Sequence, residues 1–319
     1  MLKSFLAALA LCLAGAAFAQ DKFPDKPVRF IVPFPPGGGT DALGRILAAK
    51  LGELWGQQVI VENRAGAQGN IGTAAGAKAP PDGYTLTFAH QGALVINPHI
   101  YKDTGYDTLK DFAPVALATQ MAFIAVAHPA VPANDLRELA QYAKKNPGKL
   151  SFASTSAGPH IVGELFKQAT GTDLLHVPYK GAGPAITDLL GGQVNLMFSN
   201  PTSTVPHVRS GKLRALAVMD GKRNPALPDV PTAQEQGIPE LASVIEWYGI
   251  VVPSATPPAI VRKLSADMLQ VMGMADVRER ITQSGQTPSP LGAEEFGRMI
   301  RTDFERWRKV VAAAGIRPE

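Results

Sequence analysis

The chain has 319 residues, a formal net charge of +4, 45% hydrophobic residues and one cysteine. So mild a charge, with basic residues scattered instead of gathered into an arm, argues against a nucleic-acid partner. Cys12 falls in the apolar leader, so the mature product is expected to carry no thiol, which excludes disulfides, cysteine metal sites and cysteine nucleophiles.

The leader has Lys3, an apolar stretch over residues 5–17, and Ala17-Phe18-Ala19 as a small-x-small cleavage site. Residues 1–19 therefore read as a secretory signal peptide, because a membrane span would need about 20 apolar residues. A periplasmic, exported product is expected.

Beyond the leader, short β-rich runs alternate with helical patterns. Strands are predicted over 28–32, 59–61, 84–88, 123–127, 150–153, 195–198, 213–218 and 248–252, with amphipathic stretches between them. Alternation of this kind predicts an α/β fold of doubly wound units with parallel sheets. Residues 20–120 and 248–319 are expected to form one discontinuous lobe and 121–247 the other, joined by a two-segment hinge that permits opening and closing about one axis. Near the C-terminus Phe296, Ile300, Phe304, Trp307 and Val311 fall on one helical stripe, which reads as core packing.

The first strand runs into Phe34-Pro35-Pro36-Gly37-Gly38-Gly39-Thr40-Asp41, a passage from strand to glycine loop to helix. Glycines permit positive φ and a close backbone approach, and Thr40 or Asp41 is suited to capping the helix. The free amides of that helix start attract an anion. Gly37-Gly38-Gly39-Thr40-Asp41-Ala42 also matches G-x-G-x-x-A, and Glu62 ends the next strand about 20 residues on, as in a dinucleotide site. A dinucleotide is rejected, because Asp41 would set a carboxylate beside the pyrophosphate. No cofactor is expected.

A second passage of the same kind is Ser154-Thr155-Ser156-Ala157-Gly158-Pro159-His160, followed by a helix from about His160. Ser154, Thr155 and Ser156 offer hydroxyls, and Pro159 suits a first helical position. Standing alone, either loop is equally a turn with a cap. Their symmetry across the two halves favours binding. Ser154 to Gly158 also approaches the G-x-S-x-G nucleophile elbow, with serine where the first glycine belongs, so a secreted serine hydrolase is the alternative reading. His90 and Gln91 follow one strand, and Asn200 and Thr202 follow another, at carboxyl ends where open α/β sheets bind ligands. The six histidines form no short-spaced pair, and no metal site is expected.

The first loop, Val61-Glu62-Asn63-Arg64-Ala65-Gly66-Ala67-Gln68-Gly69-Asn70, Pro81-Asp82-Gly83-Tyr84, His176-Val177-Pro178-Tyr179-Lys180-Gly181, Asp229-Val230-Pro231-Thr232 and Trp247-Tyr248-Gly249 occur in an order that resembles the Bug (TctC-like) family of solute-binding proteins. The resemblance implies a type II periplasmic binding fold, no enzymatic activity, and capture of a small carboxylate such as a di- or tricarboxylate, an amino acid or an aromatic acid. It further implies hand-over to a TctA/TctB-like membrane permease or a sensor kinase. The ligand carboxylate would be held by the loop of Phe34, Pro36, Gly37, Gly38, Gly39, Thr40 and Asp41 and by that of Ser154, Thr155, Ser156 and His160. His90, Gln91, Tyr179, Asn200 and Thr202 are the further candidates, at the far end of the pocket. A monomer is expected.

Overall fold

A computed structural model of the chain describes residues 23–313. The signal-peptide reading of residues 1–19 therefore lies outside the described residues. The chain opens as a doubly wound unit. Strand β1 (Val28–Val32) leads to helix α1 (Gly39–Trp55), β2 (Val59–Asn63), α2 (Asn70–Ala77) and β3 (Thr85–His90), with β1 parallel to both β2 and β3. All six residues of β3 are buried, as befits a strand covered on both faces. Leu43, Leu47 and Leu51 recur every fourth residue along α1 and lie buried against the sheet with Phe30 and Phe88.

After a π-helical turn (Gly92–Ile96) and a short helix α3 (Asn97–Ile100), β4 (Phe112–Ala122) runs for eleven residues and passes almost directly into β5 (Ile124–Ala127). β5 belongs to another sheet, filled out by β6 (Ser151–Ser154), β7 (Leu175–Pro178), β8 (Leu196–Ser199) and β9 (Arg214–Val218) in the order β7-β6-β8-β5-β9. Its helices are α4 (Leu136–Lys145), α5 (Ala157–Thr170), α6 (Ala182–Leu190) and α7 (Pro201–Arg209). The chain then returns through β10 (Ile245–Pro253), α8 (Pro258–Gly273), α9 (Ala275–Gln283), β11 (Thr287–Gly292) and α10 (Ala293–Ala313) to the six-stranded sheet, ordered β11-β4-β10-β3-β1-β2.

The sheets are mixed, not parallel as the alternation predicted. β10 is antiparallel to β3 and β4, β11 to β4, and β5 to β8 and β9. A parallel neighbour needs a crossover, whereas β5 enters straight from β4, and β10 comes back from the other sheet against the strands it joins. Each of the eight predicted runs overlaps a strand. β4, β7 and β11 add to them; β11 carries Pro288 and Pro290 and survives as a strand because it lies at the sheet edge. Phe296, Ile300, Trp307 and Val311 are buried along α10, and Trp247 meets Phe296 edge-on at 5.2 Å.

Candidate functional site

Four helices begin at one cleft between the two sheets, each directly after a parallel strand. The wall comprises Gly38, Gly39 and Thr40 at the start of α1, Thr155, Ser156 and Pro159 at the start of α5, Ala182 opening α6, and Asn200 and Ser203 at the start of α7. Its floor is His90, Phe123, Glu246 and Tyr248, with Phe34, Pro35 and Ser199 beside them. The cleft amounts to about 420 Å³, open mouth included. Among the described residues that line it there is no lysine or arginine. Sequence reasoning found two of the four helix starts as converging N-termini. It placed Asn200 only at a strand end and did not single out Ala182.

The first loop is built to hold its shape. Gly37 sits at φ +85°, where a side chain would be strained, while Gly39 is kept bare by close approach: a Cβ there would lie 3.1 Å from both Asn200 Oδ1 and Thr202 Cβ. Neither Thr40 nor Asp41 is the N-cap, since α1 starts at Gly39 behind Gly38 and no side chain caps it. Asp41 turns back within the first turn and accepts from the Gly37 amide (3.1 Å), Arg45 Nε (3.0 Å) and Asn63 Nδ2 (3.0 Å). Asn63 Nδ2 also donates to the Phe34 carbonyl (3.0 Å), tying the loop to the end of β2. Burial pushes the Asp41 carboxyl up, but the Arg45 guanidinium and the Gly37 and Asn63 amides outweigh it and hold it below its ordinary value. Its charge is thus spent on the loop, leaving the amides at the start of α1 without an intrahelical partner.

The second loop differs from expectation in its boundaries. α5 starts at Ala157, so Pro159 is its third residue instead of its first, a place where the missing N–H is still no loss. Thr155 and Ser156 line the cleft, but Ser154 does not: it is 1% exposed, and its Oγ lies 2.7 Å from His176 Nε2. His160 stacks on His176, ring centroids 3.9 Å apart, and does not line the cleft either. Burial, then the neighbouring His160 and Lys167, push the His176 pKa down to about 4. A Ser154–His176 pair exists, yet it is closed off from the cleft and its base is a feeble one near neutral pH.

Other candidates from the sequence also have structural places away from the lining. Pro36 and Gly37 are exposed, Gln91 Nε2 donates to the Ile245 carbonyl (2.9 Å) and to Asp303 (3.2 Å), and Tyr179 donates to Asp188 (2.7 Å). Thr202 Oγ1 accepts from Gln286 Nε2 (2.7 Å), a bond between the two sheets' bodies. Phe34, Gly38, Gly39, Thr40, His90, Thr155, Ser156 and Asn200 do line it.

Glu246 was not anticipated. Its side chain is 3% exposed; Oε1 lies 3.1 Å from His90 Nε2, and Oε2 accepts from the Tyr248 hydroxyl at 3.0 Å. Asn200 Nδ2, which donates to the Tyr248 oxygen (2.7 Å), lies 3.4 Å from the same Oε2. The signal that could have found it is a lone acid in the otherwise uncharged run Ile245-Glu246-Trp247-Tyr248-Gly249-Ile250-Val251-Val252, since a charge buried in a strand demands a partner or a purpose.

Against this geometry, residues 43–316 match the family described as the tripartite tricarboxylate transporter family receptor. The chain belongs to that family. Protein BugT of Bordetella pertussis is 36% identical over 317 residues, covering 97% of this chain and 97% of its own. Among solved structures, the periplasmic binding protein BugD is 36% identical with TM-score 0.88, covering 93% of this chain and all of that one. Rpa4515 of R. palustris, solved with adipate, is 33% identical with TM-score 0.90, covering 93% of this chain and all of that one. The architecture is therefore the type II periplasmic binding fold that the sequence motifs implied, and this family member is a solute-binding protein and not an enzyme. Membership of a family of periplasmic receptors also implies a periplasmic location.

Proposed function

We propose that this family member is an exported receptor that takes a small organic carboxylate into the cleft and presents it to a TctA/TctB-like permease or a sensor kinase. The observation that carries this reading is the convergence of four helix starts on a cleft whose described lining has no lysine or arginine. Each such terminus favours an anion by about 0.3 to 1 kcal/mol when exposed and up to about 2 when partly buried. Micromolar affinity requires about −8 kcal/mol. Charge-assisted bonds of roughly 1.5 to 3 kcal/mol each, from the amides at the start of α1 and from the hydroxyls of Thr40, Thr155 and Ser156, supply the remainder together with apolar enclosure by Phe34 and Phe123. Adipate bound to Rpa4515 supports a carboxylate for this chain as well.

The two bodies close on the ligand, each supplying half of the grip, with residues 1–19 removed on export. Thermal unfolding against a panel of organic acids tests the reading: an acid present at 100 times its dissociation constant adds about 2.7 kcal/mol. A panel of mono-, di- and tricarboxylates, amino acids and aromatic acids that leaves the transition unmoved would overturn it.

A further inference from the structure

The lining of the cleft carries one carboxylate and no lysine or arginine among the described residues, and the arrangement around that carboxylate says what the ligand must bring. Glu246 is buried, and its ion-pair partner is His90 alone among the described residues. Its Oε1 lies 3.1 Å from His90 Nε2. His90 Nδ1, on the other side of a ring that is 3% exposed, has no hydrogen-bond partner among the described residues, and it faces the same side as the start of α5: a Cβ on Gly92 would lie 3.1 Å from Nδ1 and 3.7 Å from the Ala157 nitrogen. The Tyr248 hydroxyl donates to Oε2, and Asn200 Nδ2 lies 3.4 Å from it. The start of α5 lies beside the same carboxyl group, a Cβ on Gly158 being 3.9 Å from Oε1. What results is a buried acid in the cleft lining that faces polar donors and no lysine or arginine among the residues that line it.

We propose that Glu246 is the receptor for a cationic amino group, so that the cleft takes a zwitterionic aminocarboxylate in preference to a plain mono- or dicarboxylate. This inference rests on the carboxylate-receptor reading given above and narrows it. The ligand's carboxylate meets the amides at the start of α1 and the hydroxyls of Thr155 and Ser156, while its ammonium meets Glu246. A second carboxylate at the floor would face Glu246 as a second acid, with no lysine or arginine in the lining to separate them.

Isothermal titration of the purified chain with matched pairs tests the inference: aspartate and succinate, glutamate and glutarate, phenylalanine and 3-phenylpropionate, leucine and 4-methylpentanoate. For the pair that binds, the amino acid is expected to bind at least tenfold more tightly than its amine-free counterpart, and E246Q to shrink that ratio at least tenfold. An amine-free acid that binds as tightly as its partner overturns the inference and leaves the carboxylate reading standing. Failure of every acid in the set, aminated or not, overturns both. Should E246Q fail to fold, as judged by circular dichroism, the ratio measured on the unsubstituted chain decides alone.

Discussion

Asp41 looked like a hazard to anion binding when read as a letter, and the fold turns it inward to become part of the loop's frame. Because its folded pKa is depressed, the stability it contributes is present above the usual carboxylate value near 3.8 and is lost as pH falls through the lower folded value. Asp41→Asn is thus expected to cost about 1 to 2 kcal/mol at neutral pH, a modest figure because Arg45 is 55% exposed. The difference in melting temperature between the two proteins should narrow below about pH 4. A histidine works in a different window. His176 has its folded pKa pushed down to about 4 from 6.5, so the unfolded chain holds more protons between those values, and stability present above pH 6.5 declines as pH falls towards 4. His176→Gln, which keeps a partner for Ser154 and cannot be protonated, should show a flatter melting curve across that window. If its slope matches the parent's, His176 is not the group responsible. At this scale the sequence was informative about Phe34, Gly38 and Thr40, whose positions follow from local loop chemistry. It was silent on Glu246, whose partners His90 and Asn200 come from the end of β3 and the start of α7.

Behind the floor of the cleft, α10 holds two strand ends in register. Asp303, 8% exposed, accepts from Trp247 Nε1 (2.6 Å) and Gln91 Nε2 (3.2 Å), and the residues next to these in the chain are Glu246 and His90. One carboxylate thus braces both members of the floor pair from the rear. Asp303→Ala leaves the buried Trp247 Nε1 without an acceptor and Gln91 Nε2 with the Ile245 carbonyl alone, and is expected to destabilise by about 1 to 3 kcal/mol, measured by denaturant unfolding. Amide exchange should rise in β10 and at the end of β3 before it rises in β2; uniform loosening would argue against the brace. Helical periodicity foretold the packing stripe on α10, and Asp303, seven residues after Phe296, sits at its edge; its role depends on a contact across 56 residues, which periodicity does not report. Strand assignment had a similar limit. β11 was missed because its prolines speak locally against a strand, and only the edge position shown by the sheet order makes them acceptable.

For the molecule as a whole, one buried apolar cluster runs through both bodies, from Leu94 and Leu117 to Phe123 and Phe152, and polar contacts link them as well. Gln286 accepts from Thr119 Oγ1 (2.8 Å) on the side of the six-stranded sheet and donates to Thr202 Oγ1 (2.7 Å) on the other, and Asn224 Nδ2 donates to the Gly285 carbonyl (3.0 Å). Gln286→Ala is expected to favour the open form of the unliganded protein, raising the radius of gyration in X-ray scattering. It should also weaken apparent binding by roughly three- to tenfold, because affinity scales with the fraction able to close. An unchanged radius together with unchanged affinity would remove Gln286 from the closing contacts. The doubly wound character was legible from alternation, and the fold type from motif order. The direction of β10 was not, since it depends on a return from a second body that no local pattern encodes. In the proposed reading, finally, part of the grip on the anion is made of peptide amides, and a substitution cannot delete a peptide amide. Floor side chains that do not touch the first acid group could then be exchanged while that part of the handhold stays, and a receptor of this build could acquire a new diet.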